Sequence, residues 1–276
     1  MKEPQPIIVS HLFPEMLDSL LDLLSGLSAE DWSKPTACAL WSVKDIAQHL
    51  LGGDVSILSR KRDAFLFTGG PIQSWDELVT LINSLNDQWV KATRRLSPRL
   101  LCDLLRLTGT QVCECFQSLD PDALGEPVNW AGPGPAPVWL DLAREYTERW
   151  HHQQQIRDAV GKPGLKQPKF FAPALDAFVR ALPHTYRDVQ AAEGTAVALT
   201  ISGDSGGRWS LLREQGRWNH YLGLDQDAQA EVVMDQEVAW RLFTKGISKH
   251  EARNRVTISG DQTLGLKALE MVSVIA

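Results

Sequence analysis

A chain of 276 residues exceeds one ordinary domain of roughly 100–200 residues, so two domains are expected. With 43% hydrophobic and 22% charged residues it can build a real core, which excludes disorder as its main state. The net charge of −6 leaves no basic excess to neutralise phosphates, which argues against nucleic-acid binding.

The first 190 or so residues read as helical. His11 to Leu24 carries Leu17, Leu20, Leu21 and Leu24 at helical spacing. A second helix is predicted from Ser42, where Ser42-Val43-Lys44-Asp45 has the form of a capping box. It runs to about Phe67 and is ended by Gly69-Gly70-Pro71. A third spans about Ser74 to Ser97, and another apolar-periodic stretch covers Arg99 to Leu119. Pro121 to Pro137 is rich in Pro and Gly and reads as a long loop. A helix follows from about Val138 to Val160, stopped by Gly161-Lys162-Pro163, and one more is expected over Phe171 to Val189.

The pattern changes near Gly194. Ala196–Ser202 is β-branched and alternating; Trp209–Glu214 and Arg217–Leu222 follow at hairpin spacing. Ala230–Met234 and Arg255–Ser259 read as strands, Glu237–Lys245 and Thr263–Val272 as helices. The expected fold is therefore an α+β two-domain chain: an all-helical N-terminal part and a small C-terminal α+β domain with an antiparallel sheet.

No apolar run approaches 18 residues, so no membrane insertion is expected. The opening MKEPQPIIVSHLFPEM lacks the apolar core of a secretory signal. Cys38, Cys102, Cys113 and Cys115 show no CxxC spacing and read as reduced thiols in a cytoplasmic protein. Gly203-Asp204-Ser205-Gly206-Gly207 matches the string around a trypsin-type nucleophile, but between two strands these residues are what a turn needs.

The best chemical constellation is His49 with Glu148 and His152. Glu148 and His152 are i,i+4 on one predicted helix and share a face. His49 lies on another helix, three residues after Ile46 and next to Leu50, toward the bundle interior or its rim. Two imidazoles and one carboxylate from facing helices compose a mononuclear metal site, with positions left open for water or substrate. Zn(II) is the first choice; Fe(II) suits the same set, and Ni and Mn stay open. Glu and His at this spacing also form ordinary surface pairs, and a lone buried histidine is usually satisfied by packing. His151 and Glu145 compete for the roles, but His151 is turned about 100° from His152 on the helical wheel. Asp45, one turn before His49, either orients it or caps the helix at Ser42. Gly52-Gly53 would admit a ligand or a neighbouring helix closely. Arg149, beside Glu148, could hold a substrate carboxylate. Arg208, Arg213, Arg217, Arg241, Arg253 and Arg255 offer further cations in the C-terminal part.

The run Trp41-Ser42-Val43-Lys44-Asp45-Ile46-Ala47-Gln48-His49-Leu50 resembles the W-x-x-x-D-x-x-x-H-L signature of DinB-like helical bundles. Glu148, His152 and Gly161 match the second half of the pattern, and together they resemble the mycothiol-dependent maleylpyruvate isomerase family. The resemblance implies an up-and-down four-helix bundle whose His49, Glu148 and His152 bind a divalent metal, usually zinc. It implies a sterol-carrier-like C-terminal domain, whose ending Thr257-Ile258-Ser259-Gly260-Asp261 resembles. The boundaries expected are 1–165 for the metal-binding bundle, 166–190 for a connecting helix and 191–276 for the α+β domain. The implied cofactor is a low-molecular-weight thiol of the mycothiol type, and the implied substrate a small unsaturated keto acid. In that chemistry the thiolate adds to a cis double bond, the resulting single bond rotates, and expulsion of the thiol leaves the trans isomer. S-transfer is the variant in which the thiol stays attached. Position 155, often Asp in the family, is Gln155 here, which supplies no negative charge to His152. A small-molecule or lipid-binding module, and a metal-dependent hydrolase using a bound water, are the alternative readings of the same chain.

Overall fold

The computed structural model describes residues 2–65, 67, 72–223 and 227–274. The expected stop at Gly69-Gly70-Pro71 lies outside the described residues. The chain divides into two compact units. One holds Val9–Asp120 with Glu148–Leu165; the other holds the N-terminal residues through Ile8, Pro121–Thr147, and the chain from Lys166 onward. This division has a boundary between Leu165 and Lys166 and none at 190. It assigns Pro121–Thr147 to the unit of the C-terminal sheet.

The helical unit contains α1 (Phe13–Ser25), α2 (Val43–Ile57), α3 (Trp75–Thr93), α4 (Pro98–Ser118) and the second part of α5 (Val138–Val160). α2 starts where its capping box dictates: Asp45 N–H donates to Ser42 Oγ, while Asp45 Oδ2 accepts from Ser42 N–H and Oγ–H. Ser42→Ala should therefore cost about 1 kcal/mol, read as a lower denaturation midpoint. Asp45 is thus a capping residue, with Arg94 at 3.9 Å on its other oxygen. After Ile57 the helix widens into a π-helical turn, Leu58–Arg62, so the α-helix ends before the expected Phe67. The core of the unit is Leu20, Leu24, Trp32, Val43, Ile46, Ala47, Leu50, Leu101, Leu105 and Ile156. Ile46, Ala47 and Leu50 are the inward stripe of α2, which aims His49 along the edge of that stripe. Gly52 admits the neighbouring helix: a Cβ there would stand 2.7 Å from the Trp89 ring, whose Nε1–H donates to Gln48 O at 2.8 Å.

The other unit is built on a five-stranded sheet of order β5-β4-β3-β6-β7. Its strands are β3 (Ala196–Ser202), β4 (Gly207–Glu214), β5 (Arg217–Leu222), β6 (Ala230–Asp235) and β7 (Val256–Gly260). The sheet is antiparallel as expected in three of its pairings, and one pair departs from this: β3 and β6 run parallel, Val197 beside Ala230. Gln215 and Gly216, both at positive φ, close a tight hairpin and force β4 and β5 antiparallel. β6 pairs with central β3 rather than with β5. Gly203–Gly207 forms the β3–β4 turn, with Gly206 N–H on Gly203 O and Gly203 at φ +115°. A Cβ on Gly206 would lie 2.0 Å from Ile201 O, so the protease-like string is a backbone requirement.

Helices α6 (Pro168–Val179), α7 (Leu182–Thr185), α8 (Gln236–Phe243), α9 (Lys249–Arg253) and α10 (Gln262–Ala268) accompany the sheet. The single helix expected over Phe171–Val189 is broken because Pro183 starts a new one. The Pro-rich stretch expected as loop contains a short antiparallel ribbon, β1 (Leu124–Pro127) with β2 (Pro135–Pro137). Among the described residues, no helix is long and apolar enough to cross a membrane.

Candidate metal centre

α5 carries Glu148 and His152 one turn apart, and α2 carries His49. His49 Nε2 lies 2.9 Å from Glu148 Oε1, and His152 Nε2 lies 3.1 Å from the same oxygen. Each of the three residues offers one ligand atom, and these atoms all lie within 4.8 Å of one another. No residues other than these three form such a group among the described ones. The two imidazoles are nearly enclosed, at 11% and 9% exposure, while Glu148 is open at 35%. Access is therefore from the carboxylate side.

His152 Nδ1 lies 2.8 Å from Gln155 Oε1. Both neighbours of this ring are oxygen acceptors, and an imidazole with one proton satisfies only one of them. With that proton on Nδ1, toward Gln155, the Nε2 lone pair is free for a cation. A neutral amide does this orienting where a carboxylate would also raise ligand basicity. His49 behaves consistently. Burial pushes its imidazole below the usual range, against the Glu148 hydrogen bond, and so favours the neutral, ligating form. For Glu148, burial works to raise the carboxyl, but His152 and the hydrogen bonds from both rings hold it well below the usual carboxylate range. The donor set is therefore two imidazoles and one carboxylate, which fits a divalent cation.

Trp41, the first residue of the motif, is a wall of the site. Its ring centroid lies 4.8 Å from that of His49 and 6.3 Å from that of His152. Its position eight residues before His49 was visible, but a loop residue has no helical spacing to declare its direction. His151 is buried with its ring 4.1 Å from His152, outside the ligand group. Glu145 is paired with Arg144 at 2.6 Å. Arg149 Nη2 meets Asp54 Oδ1 at 2.9 Å, and its guanidinium lies over Phe13 and Phe116. In the other unit, Arg208 pairs with Glu231 and Arg241 with Glu237.

The family model described as the mycothiol maleylpyruvate isomerase N-terminal domain matches residues 13–157, more than half of the chain. The chain belongs to this family. Two solved structures resemble it as folds: the mycothiol-dependent maleylpyruvate isomerase, at a TM-score of 0.56, and its H-to-A mutant, at 0.55. Each is 12% identical to this member of the maleylpyruvate isomerase family, and the match covers 91% of both chains. No curated protein matches the chain.

Within this member of the family, burial raises the Cys38 thiol and the Glu148 charge raises it further. Burial likewise pushes Cys113 up to about 11. Both thiols are therefore protonated at neutral pH and poor nucleophiles. All four cysteines are free.

The depressed His49 and Glu148 set a pH dependence of folding for the metal-free protein. Where a folded pKa lies below its unfolded value, the unfolded chain binds more protons, so stability falls with falling pH. His49 contributes its stability above the ordinary imidazole range and loses it on acidification through that range; Glu148 follows lower, through the carboxylate range. The urea midpoint should drop between about pH 7 and about pH 5, and His49→Gln should flatten the upper part of that drop. A midpoint that rises on acidification in the chelated protein would contradict the assignment.

Proposed function

We propose that the chain is a divalent-metal enzyme of the maleylpyruvate isomerase type, which uses a low-molecular-weight thiol such as mycothiol to isomerise a small unsaturated keto acid. The observation that carries this is the convergence of the His49 and His152 rings on one oxygen of Glu148 in a member of that family. The three side chains would hold the metal, with zinc the first choice for this ligand set. When bound, it would polarise a substrate carbonyl or lower the pKa of the cofactor thiol. Gln155 fixes the ring of His152, Trp41 walls one side, and the open side of Glu148 admits the substrate. Cys38 and Cys113, held protonated, leave the nucleophile to an external thiol. S-transfer is the same reading with the thiol retained by the product. The domain assignment belongs to this reading: residues 1–165 as the metal-binding bundle, 191–276 as the sterol-carrier-like part, and 166–190 between them.

The test is an ultraviolet assay of maleylpyruvate conversion by the zinc-loaded protein with mycothiol, glutathione or no thiol. Turnover that needs both thiol and metal, and is lost in His152→Ala, is the expected result. Turnover of esters or amides with no thiol present would overturn it in favour of a hydrolase.

A further inference from the structure

The two helices that carry the metal-ligand candidates are joined a second time, inside the unit. Asp54, five residues after His49 on α2, pairs with Arg149, the residue after Glu148 on α5. The pair is deeply placed, with Asp54 exposed by 6% and Arg149 by 15%. Thr108 on α4 donates its hydroxyl to the other oxygen of Asp54 at 2.9 Å. Phe13 of α1 and Phe116 of α4 flank the guanidinium at 5.9 and 5.6 Å. The pair borders a cavity of about 30 Å³ whose other walls include Leu20, Leu50, Leu105 and Val112. That is room for about one water, so little solvent screens the two charges.

A buried ion pair is a poor source of stability, because apolar side chains of similar volume usually do as well or better. What it supplies is direction. Arg149 Nη2 holds one oxygen of Asp54 and the Thr108 hydroxyl the other, so the carboxylate is satisfied near one rotation and one axial offset of the two helices. Leucines tolerate sliding; this pair does not. Asp54–Arg149 thereby sets the crossing next to the place where His49 meets Glu148, the residue before Arg149.

We propose that Asp54 and Arg149 are positioning residues, which fix the register of α2 against α5 and so the separation of His49 from Glu148 and His152. Arg149 on this account acts through Asp54, without touching substrate. The proposal rests on the metal reading above.

The experiment is cobalt(II) titration followed by visible absorption, on the full chain, with circular dichroism as the check of folding. The wild type should give the ligand-field bands of a low-coordinate His/carboxylate site. The double variant Asp54→Leu/Arg149→Met should fold with an unchanged or higher midpoint, yet bind cobalt about tenfold or more weakly with shifted bands. A folded double variant with wild-type affinity and bands overturns the positioning role alone. A wild type that binds no cobalt overturns the metal reading and this proposal with it. If the double variant does not fold, Arg149→Lys decides the question. It keeps the charge but not the guanidinium, so shifted bands support the proposal and wild-type bands overturn it.

Discussion

Protein carrying Glu148→Ala should fold and contain no divalent ion, where the wild type should carry about one equivalent. Glu148 Oε1 is the point on which both Nε2 atoms converge. Its removal deletes one of the three candidate ligands and the only anionic one of the set. Losing an outer partner of a metal ligand already costs about 10–100-fold in affinity, so losing the ligand itself should cost more than about a hundredfold. The fold should survive, because Glu148 is partly exposed and the helix around it is pinned independently: Trp150 Nε1–H donates to Leu165 O, and Gln153 reaches Met16 O. The measurement is elemental analysis of tag-free wild type, Glu148→Ala and His152→Ala beside one another. Metal retained in both variants, or none in the wild type after reconstitution, would remove the site from consideration.

The second large effect is on stability. Arg149→Met should destabilise the protein by about 3 kcal/mol, because it takes the guanidinium away from the buried Asp54 carboxylate. Thr108 still donates to one oxygen, which keeps the loss at the lower end of the usual range. Asp54→Leu should cost less, since the longer Arg149 has the greater exposure and its guanidinium can turn toward water. Urea denaturation of the two single variants gives the order directly. Equal midpoints for both, or a larger loss in Asp54→Leu, would contradict this account of the pair.

Local chemistry was legible in the chain to the residue. The Ser42–Asp45 box marked the start of α2, and the i,i+4 spacing of Glu148 and His152 placed them on one face. Gln215-Gly216 marked a hairpin. What depends on distant partners was not. His49 and Glu148 are 99 residues apart; residue types and helix faces suggested that they meet without requiring it, and the motif resemblance strengthened the pairing. Asp54 read as one more polar residue on an amphipathic helix, because nothing local distinguishes a buried carboxylate from a solvated one. The parallel pairing of β6 with β3 is a choice of sheet order, made by side chains more than 30 positions apart. The β1–β2 ribbon hid behind its prolines, which suit a short edge strand as well as a loop.

The three metal-ligand candidates divide unevenly along the chain. Glu148 and His152 are brought together by any helix that forms there, whereas His49 must arrive from the far side of a long loop. An ion held by all three would therefore act on the folding equilibrium as a reversible cross-link. It would remove chain entropy from the unfolded state as a staple across that span does. Because only the folded chain gathers the three, stability would climb with the logarithm of free metal concentration. Cellular metal supply would then set how long this protein persists as well as whether it turns over.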